Sequence, residues 1–199
     1  MKNSNANSAD NKTRFIALLT TAMLVSALSA ASLASLVQTA LANTCPPQTC
    51  VDGRMTGGGK LAIAGNEHGT TQVTHGFELY CNINNGPNNL QINWFDAAGN
   101  ENHFHLESLI SSNISIVCYD DPNVTQKPPT APLDTFQAQG IGKLNGVDGA
   151  TIYFELKDAG EPGSSDWTSF VIEDVDGNEV LHVNGLLNQG NHQAHKVNK

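Results

Sequence analysis

The sequence predicts an all-β protein, either an antiparallel β-sandwich or a jelly roll, with a closed barrel as the alternative. Short apolar runs recur along the chain, and Asn-Gly, Asp-Gly and Gly-Asn pairs separate them. No stretch after residue 42 shows a sustained apolar period of 3.6 residues, the pattern of an amphipathic helix. Many short strands at close spacing are typical of sandwiches and barrels.

The chain begins with the pattern of an export signal. A polar, basic start precedes an uncharged apolar run over residues 15–37, and a small-x-small cleavage pattern ends at Ala42. We predict removal of residues 1–42 as a signal peptide, which leaves residues 43–199 as a single secreted domain. An uncleaved anchor is the alternative, because the apolar run just reaches the length of a spanning helix. A lipoprotein signal would need a cysteine directly after the small residues, and Cys45 comes too late.

The net charge narrows the class of partners. Residues 43–199 keep 7 of the 10 basic and 18 of the 19 acidic residues, so their formal net charge is −11, and Arg54 is their only arginine. Nucleic acids and anionic membrane surfaces are therefore not expected partners of the exported protein.

All four cysteines follow the predicted cleavage site. In an oxidising compartment Cys45, Cys50, Cys81 and Cys118 are expected to form disulfides, for which three connectivities exist. Cys45 and Cys50 can close a small proline-containing loop, which leaves Cys81 with Cys118, each at the end of a strand-like run. A metal site formed by these cysteines is not expected, because C-x-x-C spacing is absent.

Eight strands are predicted between residues 71 and 187. In residues 151–156 and 180–185 apolar and polar side chains alternate strictly, as in a sheet with one face in a core. Residues 120–132 contain four prolines, so we predict a surface crossover there and not a central strand. The predicted strands cover residues 71–81, 90–95, 103–110, 114–118, 136–144, 151–156, 170–172 and 179–187.

The two sides of this crossover resemble each other in sequence. Each contains, in the same order, Gly-Lys-Leu, Phe-Glu-Leu, an Asp-x-x-Gly-Asn-Glu turn and a histidine. One interpretation is a duplicated four-strand unit whose two copies cover each other's apolar faces. The other is chance agreement between common strand and turn sequences. The matched segments are 59–61 with 142–144, 77–79 with 154–156, and 96–101 with 174–179, followed by His103 and His182.

Four histidines are candidate ligands for zinc or copper. His103 and His105 lie two residues apart on a predicted strand, so their side chains share one face. His192 and His195 near the C-terminus could approach them and complete a metal site. The alternative is that this strand face is simply the solvated one, because its apolar neighbours occupy the opposite face.

A second candidate site contains carboxylates. Asp174, Asp176 and Glu179 are candidate calcium ligands, since hard oxygen ligands cluster there. The same carboxylates could form the catalytic pair of a jelly-roll glycoside hydrolase. Gly177 and Asn178 favour a third interpretation, a hairpin turn in which these residue types serve backbone geometry. No cofactor is predicted from the sequence, although calcium remains possible at this segment.

No catalytic residue is predicted. The chain has no Gly-x-Ser-x-Gly elbow, and its cysteines are expected to be oxidised. The Gly-rich residues 55–60 lack the spacing of a phosphate-binding loop and indicate close strand packing or a bulge. A glycan-binding or glycan-hydrolysing module is the alternative function, with Trp94 or Trp167 as a stacking platform beside Asp174 and Glu179.

Seven motifs of residues 43–199 together carry a resemblance to a known family. They are residues 53–59, 75–81, 86–90, 104–109, 118–122, 158–163 and 190–195. These motifs resemble a family of small secreted bacterial domains labelled post-COAP-1 and related to choice-of-anchor domains, and the resemblance spans nearly all of residues 43–199. It implies an exported bacterial β-domain without established catalysis, and it supplies no catalytic residue.

These observations predict a non-enzymatic, extracellular structural or adhesive protein of a surface layer, matrix or filament. Its partners would be other copies of itself or other cell-surface components. The N-terminus created by cleavage, with Asn43, Thr44, Cys45 and Cys50, could add a strand to a neighbour and build polymers. A third hypothesis, extracellular metal binding, depends on the histidines.

Overall fold

The structure is a computed structural model that describes residues 52–110 and 116–196. Its described part is almost entirely antiparallel β, which confirms the predicted all-β class. A short 3-10 helix, Gly163–Ser165, precedes the eighth strand. The strands are β1 (Arg54–Asn66), β2 (Gln72–Tyr80), β3 (Asn89–Phe95), β4 (Glu101–Leu109), β5 (Ile116–Tyr119), β6 (Thr135–Leu144), β7 (Val147–Lys157), β8 (Trp167–Glu173) and β9 (Glu179–His195).

Eight of these strands close into a barrel. The order is β4-β3-β2-β1-β9-β8-β7-β6, and a further pairing of β4 with β6 joins the two ends. The four-residue strand β5 pairs with β6 beside β4. A sandwich or jelly roll was the first expectation from the sequence, and the structure instead shows the barrel. The reason is that hydrogen bonds join the two halves twice, at β1–β9 and at β4–β6, where a sandwich leaves its sheets apart.

β1 lies where no strand is predicted, because Gly57, Gly58 and Gly59 are poor strand formers. These glycines permit the close approach of β1 to its neighbours. A Cβ atom at Gly58 would lie 2.5 Å from the His75 carbonyl oxygen, and one at Gly59 would meet the Gln189 carbonyl oxygen. The glycine run therefore marks close strand packing, as its sequence indicated.

Inward-facing side chains fill the barrel. Residues alternate between the interior and the outer wall along each strand, so the interior is a packed apolar core. No helix in residues 52–110 or 116–196 is long and apolar enough to cross a membrane. The largest fully buried side chains are Trp94, Phe104, Phe136, Phe170, Met55 and Leu79.

The two four-strand halves, β1–β4 and β6–β9, occupy equivalent places in the barrel. The first strand of each half pairs with the last strand of the other. The turn after the third strand is also the same in both. Asp96 Oδ1 accepts a hydrogen bond from Asn100 N at 2.9 Å, and Asp174 Oδ1 accepts one from Asn178 N at 2.9 Å.

Residues paired across the strands show which positions correspond. Within this pairing Gly59 corresponds to Ala138 and Phe77 to Leu156, so neither the Gly-Lys-Leu nor the Phe-Glu-Leu match joins equivalent positions. The Asp-x-x-Gly-Asn-Glu turns and the histidines after them do correspond. One outward-facing row is Gly58–Gly76–Gln91–His105, and its counterpart is Gln137–Glu155–Ser169–Asn184.

One end of the barrel carries the long connections. Residues 120–132 cross from β5 to β6 without forming a strand, as predicted. Cys81 and Cys118 form a disulfide with a Cα–Cα distance of 5.9 Å, as the elimination of the other pair suggested. Several sequence predictions lie outside the described residues. They concern the signal peptide 1–42, the Cys45–Cys50 pair and the assembly segment with Asn43 and Thr44.

Candidate functional site

The outer wall of β2 and β3 contains an open depression of about 420 Å³. Its floor includes Gly76 of β2, which pairs with Gly58 of β1, so two adjacent strands present no side chain at this point. The space above Gly76 is open, because a Cβ atom built there meets no atom within 4 Å. The side chains around this depression, here called the glycine groove, are those of Thr74, Glu78, Asn89, Gln91 and Asn93.

Three amide side chains line one wall of the groove. Asn89, Gln91 and Asn93 are exposed and alternate along β3, so they project on the same side about 7 Å apart. None of them makes a side-chain hydrogen bond to another residue within the described ranges. Each amide therefore offers both a donor and an acceptor to a ligand.

Glu78 is held in place at the other wall. Arg54 Nη1 donates to Glu78 Oε1 at 3.1 Å, and the Tyr80 hydroxyl donates to the same oxygen at 3.0 Å. Gly86 lies against the Tyr80 ring, where a Cβ atom would be 2.6 Å from the ring carbons. Because both bonds end on Oε1, the second oxygen of Glu78 is left as an acceptor beside the groove.

This set of groups suits a neutral ligand rich in hydroxyl groups. Amides and one fixed carboxylate can donate to and accept from several hydroxyls without a net charge on the ligand. Among the described residues Glu78 is the one carboxylate that lines the groove, and glycoside hydrolysis ordinarily uses two.

The second half of the barrel fills the equivalent place with side chains. Gln137 and Glu155 stand where Gly58 and Gly76 stand in the first half. Gln137 Nε2 donates to Glu155 Oε2 at 3.0 Å, and Lys157 Nζ lies 2.9 Å from Glu155 Oε1. The groove is thus a feature of the first half alone.

The four predicted histidine ligands do not come together. His103 and His105 share the exposed outer face of β4, as alternation predicts, beside Asn93 and Gln91. β4 and β9 lie on opposite sides of the barrel, with three strands between them in either direction. On β9, His195 faces outward and its Nε2 is hydrogen bonded to the Thr56 hydroxyl at 2.8 Å. The zinc or copper site predicted from these histidines is therefore wrong.

His192 lies in the interior, paired with His75, which no sequence pattern indicates as a candidate. His192 Nδ1 donates to Lys157 O at 3.0 Å, so its Nε2 accepts a hydrogen bond from His75 Nε2 at 2.8 Å. Phe77 stacks on the His75 ring. Burial lowers the pKa of His75 to about 3 and that of His192 to about 4, so both are neutral.

Two buried aspartates serve the backbone. The C-terminal part of β9 extends beyond β8, and carboxylates take the place of a strand along its edge. Asp166 Oδ2 accepts from His192 N at 2.6 Å, and Asp158 Oδ2 accepts from Ala194 N at 2.7 Å. Burial raises the pKa of Asp166 to about 6, although the hydrogen bond from His192 N opposes this shift.

The predicted calcium ligands are not gathered into a cluster among the described residues. Asp174 is occupied by its own turn, accepting from Asp176 N and Asn178 N at 2.9 Å. Hydrogen bonds to Asn178 lower the pKa of Asp174. Glu179 points elsewhere, with His68 Nε2 at 2.9 Å from its Oε1. The turn interpretation is the one that fits, and the calcium prediction from this trio is wrong.

The predicted aromatic platform is also not available. Trp94 faces the core and is 2 % exposed. Trp167 is half-buried, with Lys157 Nζ over its ring at 5.5 Å from the centroid.

No sequence pattern indicates the glycine groove, because absent side chains form it. The pairing of two glycines on adjacent strands can be recognised only when the strand register is known. Comparison with protein-family models, with curated proteins and with solved structures finds no match.

Proposed function

We propose that this chain is a non-enzymatic extracellular adhesion module that binds neutral, hydroxyl-rich glycans in the glycine groove. The observation that carries the proposal is the contrast between the Gly58–Gly76 floor and its filled counterpart Gln137–Glu155. Beside that floor Asn89, Gln91 and Asn93 make no side-chain hydrogen bond within the described residues, so their donors and acceptors are open to a ligand.

Secretion is part of the same proposal. The predicted export signal and the Cys81–Cys118 disulfide both favour an oxidising, extracellular compartment. The resemblance to post-COAP-1 domains agrees with an exported bacterial β-domain without catalysis. A cell-surface or matrix glycan is then the partner that the groove would meet first.

A glycan array of neutral oligosaccharides tests the proposal with purified protein. We expect wild type to bind a subset of them, and Gln91→Ala to bind at least tenfold more weakly because one donor and one acceptor are lost. The matched control is Gln139→Ala, on the outer wall of β6, which should bind like wild type. Absence of wild-type binding, or equal loss in both variants, would refute the function.

Polymerisation is a second candidate, supported by one feature of the fold. Barrel closure leaves β5 (Ile116–Tyr119) at the end of the strand order, with β6 as its partner in the described part of the chain. An extended segment from another copy, residues 43–50, could pair with this edge. Negative-stain microscopy and light scattering test it, and a monodisperse monomer at high concentration would count against it.

A further inference from the structure

A separate cluster of ionisable side chains lies where the end of β1 meets the start of β9. Glu67 and His68 follow β1 directly, and Glu179 and His182 belong to β9. One ligand atom each from Glu67, Glu179 and His182 lies within 4.8 Å of the others. His68 is not part of this set, but its Nε2 is 2.9 Å from Glu179 Oε1 and so helps to hold that carboxylate.

The backbone fixes this cluster at the ends of paired strands. Glu67 N donates to His182 O at 3.3 Å, which continues the β1–β9 ladder. A register shift where β9 begins beside β8 places Glu179 and His182 on the same side, although they are three residues apart. Asn66 Oδ1 accepts from Thr70 N at 2.9 Å and so braces the loop that carries His68.

The two distances from His182 are compatible with shared coordination of one metal ion. His182 Nδ1 lies 3.3 Å from Glu179 Oε1 and 3.5 Å from Glu67 Oε1. Zinc binds nitrogen and carboxylate oxygen at 2.0–2.2 Å, so neighbouring ligand atoms of a tetrahedron stand about 3.4 Å apart. A plain surface ion pair would stabilise these half-exposed side chains little, since such pairs contribute about 0–1 kcal/mol.

The other half of the barrel offers a comparison within the molecule. At the equivalent corner Asn145 N donates to His103 O at 2.9 Å, so Asn145 takes the place of Glu67 and Gly146 follows in the place of His68. Asn145 Oδ1 accepts from His103 N at 2.9 Å and is used for the backbone. The acid and histidine are therefore not required by the corner itself.

We propose that Glu67, Glu179 and His182 bind one divalent transition-metal ion, with zinc as the best fit and water in the fourth position. One imidazole and two carboxylates match zinc, whereas calcium prefers oxygen ligands alone. The site is independent of the glycine groove, and its metal would be held at the surface. Bound metal would tie the loop after β1 to β9.

Isothermal titration of the purified, tag-free protein with Zn²⁺ after chelator treatment tests this site. We expect one saturable site per chain at micromolar affinity, no comparable binding of Ca²⁺, and a visible Co²⁺ spectrum typical of four-coordination. His182→Ala and Glu67→Gln should each weaken Zn²⁺ binding at least tenfold. Glu67 is largely exposed, so its variant will fold.

The matched control is His103→Ala, which removes the histidine of the equivalent corner and should leave the Zn²⁺ affinity unchanged. Far-UV circular dichroism shows that each variant is folded. The proposal is overturned if wild type shows no saturable Zn²⁺ binding. It is also overturned if His182→Ala and Glu67→Gln bind like wild type, or if His103→Ala loses as much affinity as they do.

Discussion

The two four-strand halves of the barrel share their strand order and their Asp-x-x-Gly-Asn-Glu turns, yet they present different surfaces. In the first half a row of two glycines opens the glycine groove, and in the second half Gln137 and Glu155 close the same place with a hydrogen bond. The shared part is what the barrel needs in order to close. The differing part is where we place the proposed binding site, because barrel closure does not require that difference.

The ends of the two halves are also secured differently. In the first half the Cys81–Cys118 bond ties the end of β2 to β5. In the second half the loop between β7 and β8 is held by the carboxylates of Asp158 and Asp166, which accept hydrogen bonds from β9. A covalent tie and a hydrogen-bonded tie can therefore be compared in one molecule.

Removing the covalent tie should have the largest effect on stability. The Cys81→Ala, Cys118→Ala double variant releases a loop with a sequence separation of 37. Loop entropy predicts a loss of about 4 kcal/mol in the free energy of unfolding. Urea unfolding of the variant and of wild type measures this loss. A variant as stable as wild type would show that the bond does not constrain the unfolded chain.

Removing the hydrogen-bonded tie should cost somewhat less. Asp166→Ala leaves the backbone N–H groups of His192 and Ala159 without an acceptor. Each buried unpaired donor costs about 1–3 kcal/mol, so we expect a loss of about 3 kcal/mol. Asp166→Asn keeps one acceptor and should lose less. Asp176→Ala, in an exposed turn, is the control, and an equal loss there would contradict the role of Asp166.

Filling the groove should affect binding and leave stability nearly unchanged. Gly76→Glu copies Glu155 of the second half, and open space surrounds the added side chain. We expect glycan binding to weaken at least tenfold while the free energy of unfolding changes by no more than about 0.5 kcal/mol. Ala62→Glu places the same carboxylate on the outer wall away from the groove. If Gly76→Glu binds the glycan as strongly as wild type does, the binding site does not lie in the glycine groove.

The smallest predicted effect is the pH dependence of stability that the two buried imidazoles cause. Burial lowers the pKa of His75 to about 3 and of His192 to about 4, so as pH falls from 6 to 4 the unfolded chain takes up protons that the barrel does not. Stability falls in consequence. Burial raises the pKa of Asp134 and Asp166 to about 6, so over the same range the barrel takes up protons and stability rises. The two contributions therefore oppose each other in wild type.

His75→Phe shifts this balance and copies Phe154, the equivalent residue of the second half. With one of the two losses removed, the free energy of unfolding should rise relative to wild type as pH falls from 6 to 4, by on the order of 1 kcal/mol for each pH unit. Urea unfolding at pH 6, 5 and 4 measures the slope. His103→Phe, at an exposed position, should behave like wild type. A His75→Phe slope equal to that of wild type would contradict a neutral buried His75.

Alternation and turn residues sufficed to predict the fold class and most strands. The strand over β9 was predicted to end at residue 187, whereas it continues to His195 with aspartates in place of a partner strand. β1 and the closure it permits could not be predicted, because Gly57 to Gly59 reveal their packing role only beside a second backbone. Because β1 is not among the predicted strands, the sequence favours a sandwich or jelly roll over the closed barrel.

The functional residues were harder to predict than the fold. The shared face of His103 and His105 followed from alternation, but their distance from His192 and His195 depends on the strand order. Glu67 and Glu179 meet only through the register of β1 with β9, which a single sequence does not contain. The turn at Asp174 could be predicted from the sequence, because its hydrogen bonds join residues that are close along the chain.

The central claim is that the glycine groove of the first half, and not its counterpart, binds a neutral glycan. Amide chemical-shift mapping of isotope-labelled protein, titrated with the oligosaccharide that binds best on the array, tests this claim most directly. We predict saturable shifts concentrated at residues 74–78 and 89–93, with none at Gln137, Glu155 or Ser169. Shifts centred on that second row, or no saturable shifts at all, would contradict the account.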